Sequence, residues 1–317
     1  MPANFAPADP SNPYADYTEA QLHAAISTLV PRYYPGSHYE YANLGFGLLG
    51  HALALRAGRS YEDLVVSRIC APLGLESTRI TLTPSMRPRF VPAHDSGLAE
   101  VPHWELPALA GAGALRSSAN DLMRFLRASQ NRQDGPLRAA FARLLEVRRQ
   151  TDMGDTVVGA GWFLRVQHDD ELVWKDGDTG GHTTFIGYSA RSGRAAVLVA
   201  NTSSGSSTPM IGQHLINGSF PLPKIYRQVT IAPERLAGLA GKYPITPQFV
   251  LTVTPRGGRL MVQATGQAEY EVFAESDTRF FYRVVDAQLS FERRDDGVAT
   301  AVVLHQNGRN RRANRLP

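Results

Sequence analysis

Hydrophobic and polar positions follow a helical period over the first half of the chain. Several segments begin with Ser or Thr and carry Gln or Asp three residues on, a pattern typical of helix N-termini. A glycine-spaced apolar run ends at Gly58, a residue suited to closing a helix. Proline stands in the first turn of the last segment, as helices tolerate. The predicted helices are Thr18–Val30, Leu44–Ala57, Ser60–Cys70, Ser118–Gln130 and Pro136–Arg149.

The period then shortens to two, which indicates strands. The predicted strands are Val158–Gln167, Leu172–Lys175, Thr183–Ser189 and Ala195–Asn201, followed by a helix over Ser207–Asn217. Helices, then an antiparallel meander, then a helix predict an α+β domain. Residues 80–116 are rich in Pro and Gly, and we predict that they wrap one side of a cleft. The opening stretch, Pro2–Tyr17, predicts an extended loop.

The last part of the chain contains only short strand patterns separated by turn signals such as Gly257-Gly258 and Asn307-Gly308. This spacing predicts a small all-β barrel or sandwich. The predicted strands are Phe249–Thr254, Arg259–Gln263, Arg279–Val284, Gln288–Arg293 and Thr300–His305. A proline-containing stretch precedes them, so we predict a first domain over residues 1–218, a linker over 219–227 and a second domain over 228–317.

Composition excludes some functions and leaves others open. Apolar residues make up 43% of the 317 residues, and the formal net charge is +4. No apolar run is long enough to cross a bilayer, and no signal peptide is visible. The single cysteine, Cys70, excludes an intrachain disulfide and predicts a small buried side chain. Arginines near residues 309–315 fit a nucleic-acid patch or the solvated face of a strand; we favour the strand and predict no nucleic-acid partner.

Several motifs of known chemistry are missing from the sequence. It has no Gly-x-Ser-x-Gly, no His-Glu-x-x-His, no phosphate-binding loop and no dinucleotide-binding glycine pattern. The nine histidines show no metal-ligand spacing. We therefore predict no cofactor and no metal site.

Two polar clusters remain as candidates for catalysis. Tyr41-Ala42-Asn43 follows a Pro-Gly turn and precedes the glycine-spaced helix. A tyrosine near a cation can serve as general base or acid, and an asparagine can orient a substrate amide or an ammonium group. The tripeptide also fits a half-buried aromatic residue beside a helix-capping asparagine.

The second cluster is Lys175-Asp-Gly-Asp-Thr-Gly-Gly181, between two predicted strands. Glycine permits a ligand to approach the backbone closely, and a backbone N–H there can stabilise an oxyanion. Lys175 can hold a carboxylate or acidify a nearby hydroxyl. A plain hairpin with glycines in its turn explains the pattern equally well.

Taken together, the two clusters resemble a known family: class C β-lactamases, low-molecular-weight penicillin-binding proteins, D-aminopeptidases and related esterases. Residues 35–50 resemble the segment around the family's Tyr-Ser-Asn motif, and residues 175–181 resemble Lys/His-x-Gly-x-Thr-Gly-Gly. Pro72–Thr78 resembles Pro-Leu-Gly-Met-x-x-Thr, and Gly111–Asp121 resembles Gly-x-Gly-x-x-x-Ser-Thr-x-x-Asp. The likeness runs from about residue 10 to 218, and Leu236–Tyr243 resembles the start of a small barrel appended to many of these hydrolases.

The resemblance implies a β-lactamase-like antiparallel sheet with flanking helices, N-terminally incomplete, followed by a small lipocalin-like barrel. It implies a serine hydrolase that forms an acyl-enzyme on an ester, amide or β-lactam. Tyr41 would be general base, Asn43 an orienting group and Lys175 a cationic helper. Gly177, Asp178 and Thr179 would line the substrate site, with the Asp178 N–H as an oxyanion donor. The family is usually exported, which is the expected location; the oligomeric state stays open.

Three departures from the family pattern matter. Ala42 replaces a serine, and Asp176 replaces Thr or Asn, which weakens recognition of an acidic substrate. The family's nucleophile motif is Ser-x-x-Lys, and no serine of this chain has lysine three positions on. Arg132 follows Ser129 at that distance, but a guanidinium stays protonated and cannot act as base.

Three hypotheses account for the absent motif. The first is an enzyme whose Ser-x-x-Lys segment lies ahead of residue 1. The second is a binding protein or pseudoenzyme that keeps the cleft. The third is a hydrolase that uses another serine, such as Ser96, although that residue lies in a predicted irregular loop.

Overall fold

A computed structural model describes residues 12–130, 134–167, 170–203, 207–306 and 309–317. The predicted opening loop falls mostly, and the turn Asn307-Gly308 entirely, outside these residues. Contacts divide the chain into two compact units, and the second takes over from Pro223. The predicted domain limits at residues 218 and 228 stay predictions. Within the described residues, no helix is both long and apolar enough to span a membrane.

Three helices of the first unit begin at the side-chain caps that the sequence predicts, Thr18, Ser60 and Ser118. The helices of this unit are α1 Glu19–Ser27, α2 Asn43–Ala57, α3 Tyr61–Val65, α4 Ala71–Leu73, α5 Ala119–Ser129, α6 Arg138–Leu144 and α7 Ser207–Ile216. Thr18 forms a complete capping box with Gln21, and Gly58 closes α2 in the left-handed conformation. A π-helical turn over Val66–Cys70 joins α3 to α4, and Cys70 is buried as predicted.

The strands of the first unit form two antiparallel sheets. β1 Ala93–His94 and β2 Glu100–Val101 form a small hairpin. The larger sheet runs in chain order through β3 Arg149–Gln150, β4 Val157–Val158, β5 Phe163–Gln167, β6 Asp170–Thr179, β7 His182–Ser189 and β8 Ala195–Ala200. Because side chains alternate along β6, Trp174 joins one apolar cluster with Phe185, and Val173 joins another with Leu126 of α5.

Apart from β6, which is described with the candidate site, two predicted elements were clearly wrong in length. The predicted helix Pro136–Arg149 shrinks to α6, because Leu137 at its start has a left-handed backbone (φ 66°) and Arg149 enters β3. The predicted strand Val158–Gln167 is two strands, β4 and β5, because the chain turns through Gly161, whose φ is 89°. Residues 80–116 are largely irregular, in agreement with the prediction.

The glycine spacing of α2 has a packing explanation. A Cβ on Gly50 would lie 2.9 Å from the Cα of Gly111, and a Cβ on Gly111 would lie 2.6 Å from the carbonyl oxygen of Phe46. The backbone of α2 therefore contacts the short 3₁₀ helix Ala110–Ala112 directly. This contact fixes the start of α2, and with it the segment that carries Tyr41.

The Asp121 carboxylate joins two of the family-like motifs. It is 3% exposed and accepts hydrogen bonds from the Ser77 N–H (2.7 Å) and the Thr78 hydroxyl (2.9 Å). The segments Pro72–Thr78 and Gly111–Asp121 are thus held together by one buried acceptor.

Replacing Asp121 with alanine should leave the Ser77 N–H without its acceptor and should leave the Thr78 hydroxyl with the Ser117 hydroxyl as its remaining partner. We expect a loss of about 3 kcal/mol in the free energy of unfolding. All three tryptophans, Trp104, Trp162 and Trp174, lie before residue 223, so urea unfolding followed by tryptophan fluorescence reports on this unit. Asp155→Ala, at an exposed position, is the matched control. A similar loss in both variants would contradict a special role of Asp121.

The second unit is a nearly closed antiparallel barrel-like sheet that follows the short helix α8 Pro233–Ala237. Its strands are β9 Gly241–Thr246, β10 Phe249–Arg256, β11 Arg259–Ala264, β12 Glu269–Ala274, β13 Arg279–Tyr282, β14 Ala287–Arg293, β15 Ala299–Gln306 and β16 Arg309–Asn314. They neighbour one another in chain order, and the Leu316 N–H donates to the Lys242 carbonyl, which links the last segment to the first strand.

Two of these strands, β9 and β12, were not predicted, and β16 was predicted only through its arginine run. β9 contains Gly241 and Pro244, and the other two carry many charged residues, so none shows a clear apolar pattern. Each still buries side chains in the barrel core, Tyr243, Val272 and Ala313 among them. The arginine run is the predicted solvated strand: Arg309, Arg311 and Arg312 are exposed on β16.

Candidate active site

Tyr41 lies just before α2, whose N-cap is Ala42. The residue is 53% exposed, and within the described part of the chain its hydroxyl has no hydrogen-bond partner. A hydroxyl held at the start of a rigid helix and open to solvent is available to a ligand.

Asn43 is the first residue of α2 and not its cap. Its side-chain amide donates to the Tyr14 hydroxyl over 2.9 Å, and Tyr14 packs edge-on against Trp104. The alternative prediction, that Asn43 caps the helix, is therefore wrong. Its amide group is held by a tyrosine, and its role as an orienting group for Lys175 stays a prediction.

Lys175 projects from β6 towards Tyr41. Its Nζ lies 5.4 Å from the centroid of the Tyr41 ring and 5.2 Å from that of the Phe163 ring. The ammonium group donates to the carbonyl of Asp176. Aromatic faces attract a cation, which favours this position for Nζ. The structure thus brings together Tyr41 and Lys175, which are far apart in the sequence.

Tyr41 and Lys175 both line a recess of about 240 Å³. Its lining combines the two candidate residues with aromatic and polar side chains: Tyr41, Met153, Thr156, Phe163, Arg165, Trp174, Lys175 and Asp176. Asp176, the departure from the family pattern, therefore faces the same space as Lys175.

The strand β6 extends further than predicted, so residues 175–179 form a strand edge instead of a loop. β5 pairs with β6 only as far as Trp174, and within the described residues no strand follows it along 175–179. On the other side, β7 pairs with β6 up to Thr179 and His182, which flank the two-residue turn. In a hairpin with a two-residue turn, the two residues beside the turn, here Thr179 and His182, are hydrogen-bonded to each other through their backbones. Hydrogen-bonded pairs alternate with pairs that are not, so the residues of the next pair, Asp178 and Thr183, are not hydrogen-bonded to each other. The N–H of Asp178 therefore points to the free edge.

The remaining predicted site residues lie on this strand. Gly177 pairs with Thr184, and a Cβ at Gly177 would lie 3.1 Å from the Thr184 hydroxyl oxygen. Thr179 lies beside Gly113, because a Cβ added to Gly113 would lie 3.9 Å from the methyl carbon of Thr179. The Gly111–Asp121 motif and the lysine motif are thus neighbours in space.

The two glycines at the tip of the hairpin have a structural role. A Cβ at Gly180 would lie 2.5 Å from Trp104, and one at Gly181 would lie 2.6 Å from the His94 nitrogen. Gly181 also has a φ of 71°. The sequence predicted that these glycines allow a ligand to approach the backbone closely. In the structure they instead allow close packing against the segment between residues 93 and 104.

Two carboxylates lie on the free-edge segment, at Asp176 and Asp178. Burial by surrounding protein atoms, followed by the neighbouring Asp176 charge, raises the pKa of Asp178 to about 6. The side chain itself reaches solvent. The local charge near Lys175 consequently depends on pH.

The raised pKa of Asp178 should appear in a pH titration. A carboxyl whose folded-state pKa exceeds its ordinary value of 3.8 stabilises the fold at low pH and loses this contribution as pH rises to about 6. Relative to Asp178→Asn, the native chain should therefore lose thermal stability between about pH 4 and pH 6. Carboxyl ¹³C NMR measures the same pKa directly, and Asp176→Asn should lower it. Titration of Asp178 near pH 4 would contradict this assignment.

Ser96 lies in the β1–β2 connection, between Asp95 and Gly97. Asp95 accepts hydrogen bonds from the N–H groups of Gly97 and Ala99, so the serine stands in a tight hairpin turn. This is not the strand–turn–helix setting of an activated serine. The Nδ1 atom of His94 is engaged at 3.0 Å with the Asn201 carbonyl.

An antiparallel sheet flanked by helices, with a tyrosine and a lysine brought together beside a free strand edge, defines a β-lactamase-like class of protein. The family model described as Beta-lactamase matches residues 1–215, and one described as Domain of unknown function (DUF3471) matches residues 227–314. The chain belongs to the beta-lactamase family, whose members include penicillin-binding proteins and class C β-lactamases.

Three similar proteins illustrate the relationship. Penicillin-binding protein 4* of Bacillus subtilis is 23% identical over 300 residues, 86% of this chain and 66% of that protein. The D-alanyl-D-alanine-carboxypeptidase/endopeptidase AmpH of Escherichia coli is 28% identical over 203 residues, 59% of this chain and 51% of that protein. The crystal structure of a beta-lactamase/D-alanine carboxypeptidase from Pseudomonas syringae superimposes with a TM-score of 0.57 at 21% identity, covering 63% of this chain and 64% of that one. The matched region thus spans about half to two thirds of these relatives.

Proposed function

We propose that this site takes part in acyl transfer on an ester, an amide or a β-lactam through an acyl-enzyme. Tyr41 acts as general base and then general acid, and Lys175 is its cationic neighbour. The observation that carries the proposal is the approach of the Lys175 Nζ to within 5.4 Å of the Tyr41 ring centroid. This distance places a cation beside the tyrosine that we propose as the proton acceptor.

The free edge of β6 supplies the second part of the proposed mechanism. The N–H of Asp178 points away from β7, so it is free to donate to an oxyanion that forms on the substrate carbonyl. Gly177 and Thr179 flank it on the same strand and complete the substrate-facing segment. Asn43 is the orienting group of the proposed site, and its side-chain amide is held by the hydrogen bond that it donates to the Tyr14 hydroxyl.

The nucleophile is the one group that we assign to no residue of this chain. A serine activated by a lysine needs both side chains on the same helix face, and no Ser-x-x-Lys occurs in the 317 residues. Ser96 stands in a hairpin turn. The roles proposed for Tyr41, Lys175 and Asp178 therefore complement a serine supplied from outside these residues.

Charge at the site favours a neutral substrate. Asp176 lines the recess beside Lys175, and within the described residues its carboxylate has no ion-pair partner. The negative charge offsets the attraction of Lys175 for a substrate carboxylate. We therefore propose an ester, or a peptide without a free terminal carboxylate, as the substrate in preference to an anionic β-lactam.

Two ligands that differ only in charge test this substrate preference. N-acetyl-D-alanyl-D-alanine carries a carboxylate, and its methyl ester is neutral. By NMR titration at pH 8, the ester should bind more tightly to the chain. Asp176→Thr should then strengthen binding of the carboxylate ligand by up to about fivefold, the range of an exposed charge pair. Asp155→Thr, at an exposed position outside the recess lining, is the control. Equal binding of both ligands in all three proteins would contradict the role of Asp176.

The absence of Ser-x-x-Lys from the sequence favours a second candidate function. A cleft that keeps Tyr41 and Lys175 without a nucleophile can bind a ligand and not convert it. This pseudoenzyme hypothesis predicts reversible binding of both test ligands, and no gain of hydrolysis when a Ser-x-x-Lys segment is supplied.

A further inference from the structure

We propose that His23 and His51 form a binding site for a divalent transition metal ion with tetragonal coordination, for which Cu²⁺ is the probe. His23 belongs to α1 and His51 to α2, so the ion would join the two helices. The site is separate from Tyr41 and Lys175 and does not depend on the proposed acyl transfer.

The two imidazoles face each other through the same kind of nitrogen. The Nε2 atoms lie 2.9 Å apart, and the ring centroids lie 5.1 Å apart. Imidazole nitrogens bind divalent metals at about 2.0–2.1 Å, so a separation of 2.9 Å corresponds to an N–metal–N angle of about 90°. This is the angle between adjacent ligands in square-planar or tetragonal geometry, which Cu²⁺ and Ni²⁺ prefer. Tetrahedral Zn²⁺ would need the nitrogens about 3.4 Å apart.

Glu19 supports the arrangement from the other side of His51. Its carboxylate oxygen lies 3.8 Å from the His51 Nδ1. The negative charge favours a proton on Nδ1 and leaves the Nε2 lone pair for a metal, as carboxylates do behind metal-bound histidines. Glu19 and His23 are four residues apart on α1 and therefore share one face of it.

Solvent access differs between the two histidines in a way that suits a metal site. The His51 side chain is only 9% exposed, so its ring is held in place, whereas His23 is exposed. Glu19 and His51 also line a cleft of about 990 Å³, from which water can reach the pair. Within the described residues, no group of three or more His, Cys, Asp or Glu side chains is arranged to hold a metal. Water would therefore complete the coordination.

Without metal, the 2.9 Å contact is a hydrogen bond in which one neutral imidazole donates to the other. Metal binding needs the lone pairs of both Nε2 atoms, so the donating ring must carry its proton on Nδ1 instead, and the neutral pair releases no proton. Binding should consequently weaken at pH values at which both rings become protonated. Glu19 on α1 is a charged side chain that faces the pair.

The test is a Cu²⁺ titration of the chain at pH 7.5, followed by electron paramagnetic resonance. We expect one ion per chain with nitrogen hyperfine structure from two imidazoles. His23→Ala and His51→Ala should each lose the two-nitrogen signal and weaken binding at least about tenfold, and Glu19→Gln should weaken it about tenfold. His38→Ala is the control, since His38 is an exposed histidine that stacks on Tyr33 instead.

A second readout protects the experiment against variants that fold poorly. Cu²⁺ should raise the thermal unfolding temperature of the native chain, because His23 and His51 are brought together in the folded state. It should not do so for His23→Ala, whose fold circular dichroism checks. Unchanged Cu²⁺ affinity in His23→Ala, or a spectrum with one nitrogen ligand, would overturn the proposal.

Discussion

Incubation of the chain with a fluorescent penicillin should yield no covalent label, and a chromogenic ester should show no burst of product. Acylation needs a serine whose proton is removed by an adjacent base, and no Ser-x-x-Lys occurs in the sequence. Ser129, with Arg132 three positions on, lacks a group that can accept a proton. The measurement is the molar ratio of label to protein after denaturation and mass spectrometry, with an expected value near zero.

Labelling at one equivalent would overturn this expectation and identify the serine. Ser96 would be the first candidate, and Ser96→Ala should then abolish the label. Ser192→Ala is a suitable control, since the Ser192 hydroxyl is engaged with that of Ser189 in the β7–β8 turn. Label that persists in Ser96→Ala would leave the remaining serines to be mapped from the modified peptide.

Joining a Ser-x-x-Lys segment to the chain should create ester hydrolysis that depends on Tyr41. The segment can be taken from the relative AmpH of E. coli. In the extended protein, Tyr41→Phe should lower kcat/KM by about 10²- to 10⁴-fold, because removal of a general base costs that much. The measurement is steady-state hydrolysis of a chromogenic ester.

Tyr34→Phe serves as the matched control, because Tyr34 is 88% exposed and does not line the recess with Lys175. It should leave kcat/KM close to that of the unmodified extended protein. An extended protein that folds and binds the test ligands, yet gains no hydrolysis, would support the pseudoenzyme hypothesis. Hydrolysis that survives Tyr41→Phe would remove Tyr41 from the role of base.

Much of this architecture was predictable because its signals are local. Side-chain caps at Thr18, Ser60 and Ser118 begin the helices where the sequence indicates. The class of the first domain followed from two clusters, around Tyr41 and Lys175, that are specific only in combination. The structure adds that these residues meet, and that Asp121 joins two further motifs.

Other features were beyond a local pattern. The extension of β6 to Thr179 depends on its pairing with β7, which overrides the usual preference of glycine and aspartate for turns. The strands β9, β12 and β16 have no apolar alternation, because barrel closure supplies their neighbours. The pair of His23 and His51 is separated by 28 residues, and no spacing rule brings it to attention.

The free edge of β6 also affects how readily two molecules of this protein aggregate through their strands. An unpaired strand edge accepts any extended segment, including the same edge of another molecule, and like charges on the edge discourage such pairing. We therefore expect Asp176 and Asp178 to discourage strand-to-strand aggregation as well as binding of anionic ligands. A variant improved for acidic substrates by removing both charges would gain affinity at the expense of solubility.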